Sequence, residues 1–175
     1  MSAEKKIERE AADEYFEAVY TELKKLAHAL LRGEPCAAIN TTALVHEAFL
    51  KMLNVKGFHS MEPSKRKGLT AYAMRQVLVD LARKRKASKR DGWLVPMDRE
   101  PADPRMGPEL ALAIDSAIGK LEELNPRHAR IVEMKCFGGF RFDEIAADLE
   151  LSVSTVERDW RALKAWLSAE VGWRE

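Results

Sequence analysis

The chain has 175 residues, 46% of them hydrophobic and 33% charged, with a net charge of +1; this excludes a disordered polymer and leaves room for one medium domain or two small ones. Two cysteines, Cys36 and Cys136, sit in no CxxC pair and so exclude a disulfide framework or a thiolate zinc site. No apolar run approaches the ~18 residues of a membrane helix, and the charged start, Met1 to Glu10, is unlike a secretory signal. The small net charge hides an uneven distribution. Residues 65–90 hold ten basic side chains against one acid, Asp80, a local charge of +9 that leaves −8 on the rest. Such asymmetry points to a polyanion partner on one surface.

The apolar residues Ala12, Phe16, Val19, Leu23, Leu26 and Leu30 recur at spacings of four and three, which predicts a first helix from about Glu8 to Arg32, stopped by Gly33 and Pro35. A second helix is expected near Thr42 to Asn54, with Val45, Ala48, Phe49, Met52 and Leu53 inward. Gly57 to Gly68 reads as a loop with a basic end. A third helix runs from about Leu69 into the basic run, with Tyr72, Val77 or Ala73, Leu78 and Leu81 on its apolar side. From Asp91 to Pro108, four prolines, two glycines and alternating charges read as a linker. Helical periodicity resumes at Leu110, Ile114, Ala117, Ile118, Leu121 and Leu124. Asn125-Pro126 reads as an N-cap followed by a first-turn proline, and Gly138-Gly139 as a stop. Two helices follow, Phe142 to Leu149 and Val153 to about Ala169. The expectation is therefore an all-α fold of two small helical domains, 8–90 and 109–171, joined by a linker over 91–108.

The most informative stretch is Phe142 to Leu167. A short helix with a small inner residue, Ala146, meets a tight turn, and Ser152 can cap the longer helix that follows. Val156, Trp160, Leu163 and Leu167 form the apolar stripe of that helix, whereas Ser154, Arg158 and Arg161 point away from it. A helix of this kind can lie in the major groove, where arginines read guanine edges or hold phosphates. An ordinary helical hairpin is the bland alternative; the alanine, the cap and the exposed arginines favour DNA. Arg83, Lys84, Arg85 and Lys86 cover all sides of one helical turn, so several can reach phosphates together. Taken alone, that run would read as a solvated helix end, where cations suit the dipole.

Together these residues resemble the extracytoplasmic-function (ECF) group of bacterial sigma factors. Tyr20 to Arg32 and Leu44-Val45-His46-Glu47-Ala48-Phe49-Leu50 resemble the first half of sigma region two. Tyr72 to Lys86 resembles the part that binds and melts the minus-ten element, and Leu121 to Leu167 resembles region four, which binds the minus-thirty-five element. The resemblance implies a bacterial, cytoplasmic partner of core RNA polymerase, meeting the β′ clamp helices and the β flap, and of promoter DNA. It places Leu44, Val45, His46, Glu47 and Phe49 at the polymerase. It gives the loop from Phe58 to Lys67 the capture of a flipped base, and gives Arg75, Arg83 and Lys84 a grip on DNA near the melted region. Ser154, Arg158 and Arg161 would read the upstream element. Asp80 is expected to pair with Lys84 one turn on.

Several positions depart from the family pattern. Glu150 replaces the usual turn glycine, Glu157 stands where a basic residue is common, and Arg141 where a capping Ser or Thr is common. Asn40, Thr41, Thr42 and Ala43 replace an acidic cluster before the polymerase-docking segment. Phosphorylation of Thr42, or secondarily Thr41, by a serine/threonine kinase would restore negative charge at a helix N-terminus; otherwise Thr42 is simply an N-cap, and an anti-sigma protein is the other form of control. The competing function is a free-standing helix-turn-helix regulator that does not bind core polymerase. An enzyme is disfavoured: His46-Glu47 begins like HExxH but position 50 is leucine, and the four histidines lack ligand spacing. No cofactor and no membrane partner is expected.

Overall fold

The computed structural model describes Tyr20, Lys24 and residues 41–58, 60–90 and 108–173. These residues hold six helices and no strand, so the protein is all-α as the periodicity predicts. The helices are α1 (Thr41–Leu53), α2 (Pro63–Arg90), α3 (Pro108–Leu124), α4 (Pro126–Cys136), α5 (Phe142–Leu149) and α6 (Val153–Val171). The expected first helix, apart from Tyr20 and Lys24, and the linker over 91–107 lie outside the described residues.

Local chemistry sets most boundaries. Asn125 accepts from the backbone N–H of His128 and Pro126 opens α4, as the sequence indicates. Ser152 accepts from the N–H of Thr155 at 3.2 Å and caps α6, which ends on Gly172 in the left-handed region. One boundary differs from expectation: α2 begins at Pro63, about two turns before Leu69. Proline at the first helical position costs no hydrogen bond. Phe58, fully buried, anchors the preceding turn, and the Arg66 side chain donates to the Met61 carbonyl at 3.0 Å. The segment expected as a loop is therefore half helix, and residues 63–67 form its first turns. Tyr72, expected inward, is 46% exposed, because the buried face of α2 is set by Ala71, Met74, Leu78 and Ala82 together with Ala73 and Val77.

Helix α2 is the organising element. It packs against α1 on one side and against α3, α4 and α5 on others, while α6 closes over α3, α4 and α5. Leu44, Met52, Met74, Ile114, Ile131, Ile145 and Leu167 are all fully buried in one continuous apolar cluster. Each such side chain contributes about 1.5–3 kcal/mol relative to exposure. Gly68, inside α2, marks a close approach: a Cβ there would lie 2.1 Å from the Arg130 guanidinium and 2.8 Å from Asp148 Oδ1. A mid-helix glycine is intrinsically unfavourable, and this contact between α2 and the helices α4 and α5 is what it permits.

Candidate nucleic-acid and polymerase interface

Helices α5 and α6 meet through a three-residue turn, 150–152. Glu150 adopts φ 57°, ψ 43°, a left-handed conformation that costs an L-residue more than glycine. The N–H of Leu151 donates to the Ala146 carbonyl at 2.9 Å and satisfies the end of α5. At the start of α5, the Arg141 side chain offers no acceptor. Instead Glu144 accepts from the Arg141 backbone N–H at 2.8 Å, half of a capping box that replaces the missing Ser or Thr. Ala146 is buried at the crossing of the two helices, as its size predicts.

Helix α6 divides cleanly. Val156, Asp159, Trp160, Leu163 and Leu167 are buried, with Trp160 and Trp173 in edge-to-face contact at 5.4 Å. Asp159 was not singled out by pattern, since an acid on an apolar stripe carries no periodic signal. It pairs with Arg127 of α4 at 2.9 Å and fixes the seating of α6. On the opposite face Ser154, Glu157, Arg158 and Arg161 are exposed, spaced i, i+3, i+4 and i+7. One side of α6 thus offers a hydroxyl, a carboxylate and two guanidinium groups to solvent.

The basic helix is less open than its sequence implies. Arg83, Lys84 and Lys86 are exposed near the C-terminal end of α2, and Arg85 lies on the same turn. Arg75 is 8% exposed. Its guanidinium donates to Asp115 at 2.7 Å, Glu122 at 3.0 Å and Glu133 at 3.1 Å. Burial disfavours its charge, but these three carboxylates overcompensate and hold its pKa above the ordinary value. Arg75 reaches DNA only if these acids part from it. Asp80 lies 3.7 Å from Lys51, so its ion pair crosses from α2 to α1.

On α1, Leu44 and Val45 are wholly buried and Phe49 is half-buried against the Phe58 ring. His46 and Glu47 are exposed, and Leu50, one turn on, is 59% exposed. Leu50 was not among the candidate docking residues. It shares the outward face of α1 with them, at i+3 from Glu47 and i+4 from His46. Thr42 is half-buried in the first turn of α1, its carbonyl 3.1 Å from His46 Nδ1. The helix bounds put Thr42 inside the helix and not at its cap. Among the described residues no group of His, Cys, Asp and Glu is arranged to hold a metal, and no helix is long and apolar enough to cross a membrane.

The described residues are all helical, with a capped helix-turn-helix, an outward arginine face and a strongly basic helix α2, the features of a DNA-binding protein. The chain matches the family model "ECF sigma factor" over residues 3–172, and it belongs to that family. Its role is in transcription initiation, through core RNA polymerase and promoter DNA, in a family that works by binding and not by enzymatic catalysis. No curated protein and no solved structure matches the chain at a significant level.

Proposed function

We propose that the protein divides promoter recognition between two helices and polymerase docking onto a third. Helix α6 enters the major groove of the upstream element, with Arg158 and Arg161 at base edges or phosphates and Ser154 at the groove wall. The C-terminal part of α2 holds the minus-ten region through Arg83, Lys84, Arg85 and Lys86, with Tyr72 as an exposed ring on which an unstacked base can lie. The outward stripe His46, Glu47 and Leu50 of α1 docks on the β′ clamp helices of core polymerase, and the helix-turn-helix half meets the β flap. The observation that carries this reading is the opposition on α6 between a fully packed stripe and the exposed Ser154–Arg158–Arg161 face. Thr42 is the residue at which a kinase would add charge beside the docking stripe.

The test is affinity of the full chain for sigma-free core polymerase, with Leu50→Glu and Thr42→Glu run alongside. Sub-micromolar binding by the wild type, weakened at least tenfold by Leu50→Glu, is expected. A chain that binds DNA but not core in any of the three forms overturns the docking assignment and identifies a free-standing regulator. Tighter binding by Thr42→Glu than by the wild type is the outcome expected of a phosphorylation switch, and equal binding rejects that switch.

A further inference from the structure

Helix α6 carries three bases, Arg158, Arg161 and Lys164, against three acids, Glu157, Asp159 and Glu170. A helix without net charge gains little from phosphates in bulk, so its individual side chains decide what it selects. Asp159 is buried against Arg127, and Glu170 contacts Lys120 of α3. Glu157 instead stands on the outward face with Ser154, Arg158 and Arg161. At 3.6 residues per turn, Ser154 and Arg161 lie near the centre of that face, with Glu157 and Arg158 on its two flanks.

Glu157 does little for the helix itself. It lies beyond the first turn, which holds no acid, and the attraction of a carboxylate to a helix N-terminus fades within that turn. An acid four residues before an arginine can stabilise a helix by pairing with it. Glu157 and Arg161 do not pair: among the described residues the Glu157 carboxylate has no ion-pair or hydrogen-bond partner. An unpaired carboxylate on a face turned to DNA repels phosphates and lowers affinity for DNA at large. It is favourable only where a donor meets it.

We infer that Glu157 is a specificity-determining residue: its carboxylate accepts from the exocyclic N4 amine of a cytosine close to the guanine read by Arg158 or Arg161. This rests on the reading of α6 as the helix in the major groove. An ionised carboxylate only accepts. In the major groove cytosine offers a lone donor, guanine offers two acceptors, thymine an acceptor and a methyl, and adenine a donor beside an acceptor. Guanine or thymine at that place leaves the carboxylate facing acceptors, so the selection works by rejection as much as by attraction. Four residues of helix rise about 6 Å, which is roughly two base-pair steps. The cytosine therefore lies within about two base pairs of the guanine.

The experiment selects from a pool of duplexes with about twelve randomised base pairs, using the full chain alone and with sigma-free core polymerase, and sequences what is retained over core alone. The wild type is expected to enrich a guanine, lost in Arg158→Ala/Arg161→Ala, with a cytosine within about two base pairs of it. Preference for that cytosine should fall from about tenfold or more to within about threefold in Glu157→Ala, and should move toward adenine in Glu157→Gln, because an amide suits the adenine edge. Glu157→Ala should also bind a scrambled duplex more tightly than the wild type, with an unchanged circular dichroism spectrum. An arginine-dependent guanine with no cytosine near it, or a cytosine preference that both Glu157 variants retain, overturns the assignment of Glu157 and leaves α6 as the reading helix. If the wild type enriches nothing, or its enrichment is indifferent to both arginines, the reading of α6 fails and this assignment fails with it.

Discussion

Arg75 and Glu133, 58 positions apart in the chain, meet at 3.1 Å with both side chains buried. Neither is explicable alone. A buried guanidinium without partners is strongly unfavourable, and a buried carboxylate equally so. Each is tolerated because Asp115 and Glu122 complete the shell of Arg75, and Arg130 holds Glu133 at 2.6 Å. This cluster joins the basic helix α2 to α3 and α4, against which α6 packs.

Glu133→Gln should therefore destabilise the fold by about 1–3 kcal/mol, since it leaves a buried cation short of one partner. Arg75→Met should cost about as much or more, because it orphans several acids at once. Urea unfolding of the full chain checks both; a change under about 0.5 kcal/mol for each would show that the cluster is solvated.

Two carboxylates of α5 should respond to pH with opposite sign. Burial alone would raise Glu144, but the Lys67 ammonium and the Arg141 backbone N–H hold it below its ordinary range. Its stabilising contribution is present above the unfolded value, ~4.3, and is lost as pH falls through the lower folded pKa. Burial pushes Asp148 up, against the pull of Arg130 and Lys65. For this group the folded state binds its proton more tightly, so stability falls as pH rises from ~3.9 through the raised value. Glu144→Gln should lower stability by about 1 kcal/mol at pH 7 and have no effect near pH 3. Asp148→Asn should not lower the melting temperature at pH 7. Thermal melts at the two pH values decide it; a loss at pH 7 for Asp148→Asn would contradict the assignment.

The helical architecture was readable from the sequence because periodicity and caps report local physics. Phe142–Leu149 emerges with the expected bounds, and Asn125 and Ser152 cap as their side chains dictate. The start of α2 was not readable, since Lys65, Arg66 and Lys67 look like loop and become helix by pairing with α5 and capping the Phe58 turn. Arg75 reads as one more cation of a basic run, and only acids 40 to 58 positions away reveal its surroundings. Tyr72 was misplaced for a related reason: an aromatic residue on a helix suggests burial, yet here it is 46% exposed.

The turn between α5 and α6 offers a stabilising change. Glu150→Gly relieves the left-handed conformation at φ 57° and should raise the melting temperature by about 2–4 °C, even though it gives up an exposed pair with Lys65. A fall in the melting temperature would mean that the Lys65 contact outweighs the backbone relief. Ser152→Ala removes the α6 cap and should cost about 1 kcal/mol.

On DNA, Arg158→Ala and Arg161→Ala should each weaken binding to a selected upstream element by about 1–3 kcal/mol if they read bases. A residue that instead holds a phosphate should reduce the salt slope by about one and weaken all sequences alike. Titrations at several salt concentrations, on selected and scrambled duplexes, separate the two roles.

Reconstituted transcription is the most direct test of sigma activity: sigma-free core polymerase, purified full-length chain and fragmented genomic DNA, with transcript start sites mapped. The expected result is a discrete set of starts that share an upstream element, require the chain, and vanish with the Arg158→Ala/Arg161→Ala double variant. Starts that are the same with and without the chain, under conditions where it binds DNA, would contradict a role in directing polymerase to promoters.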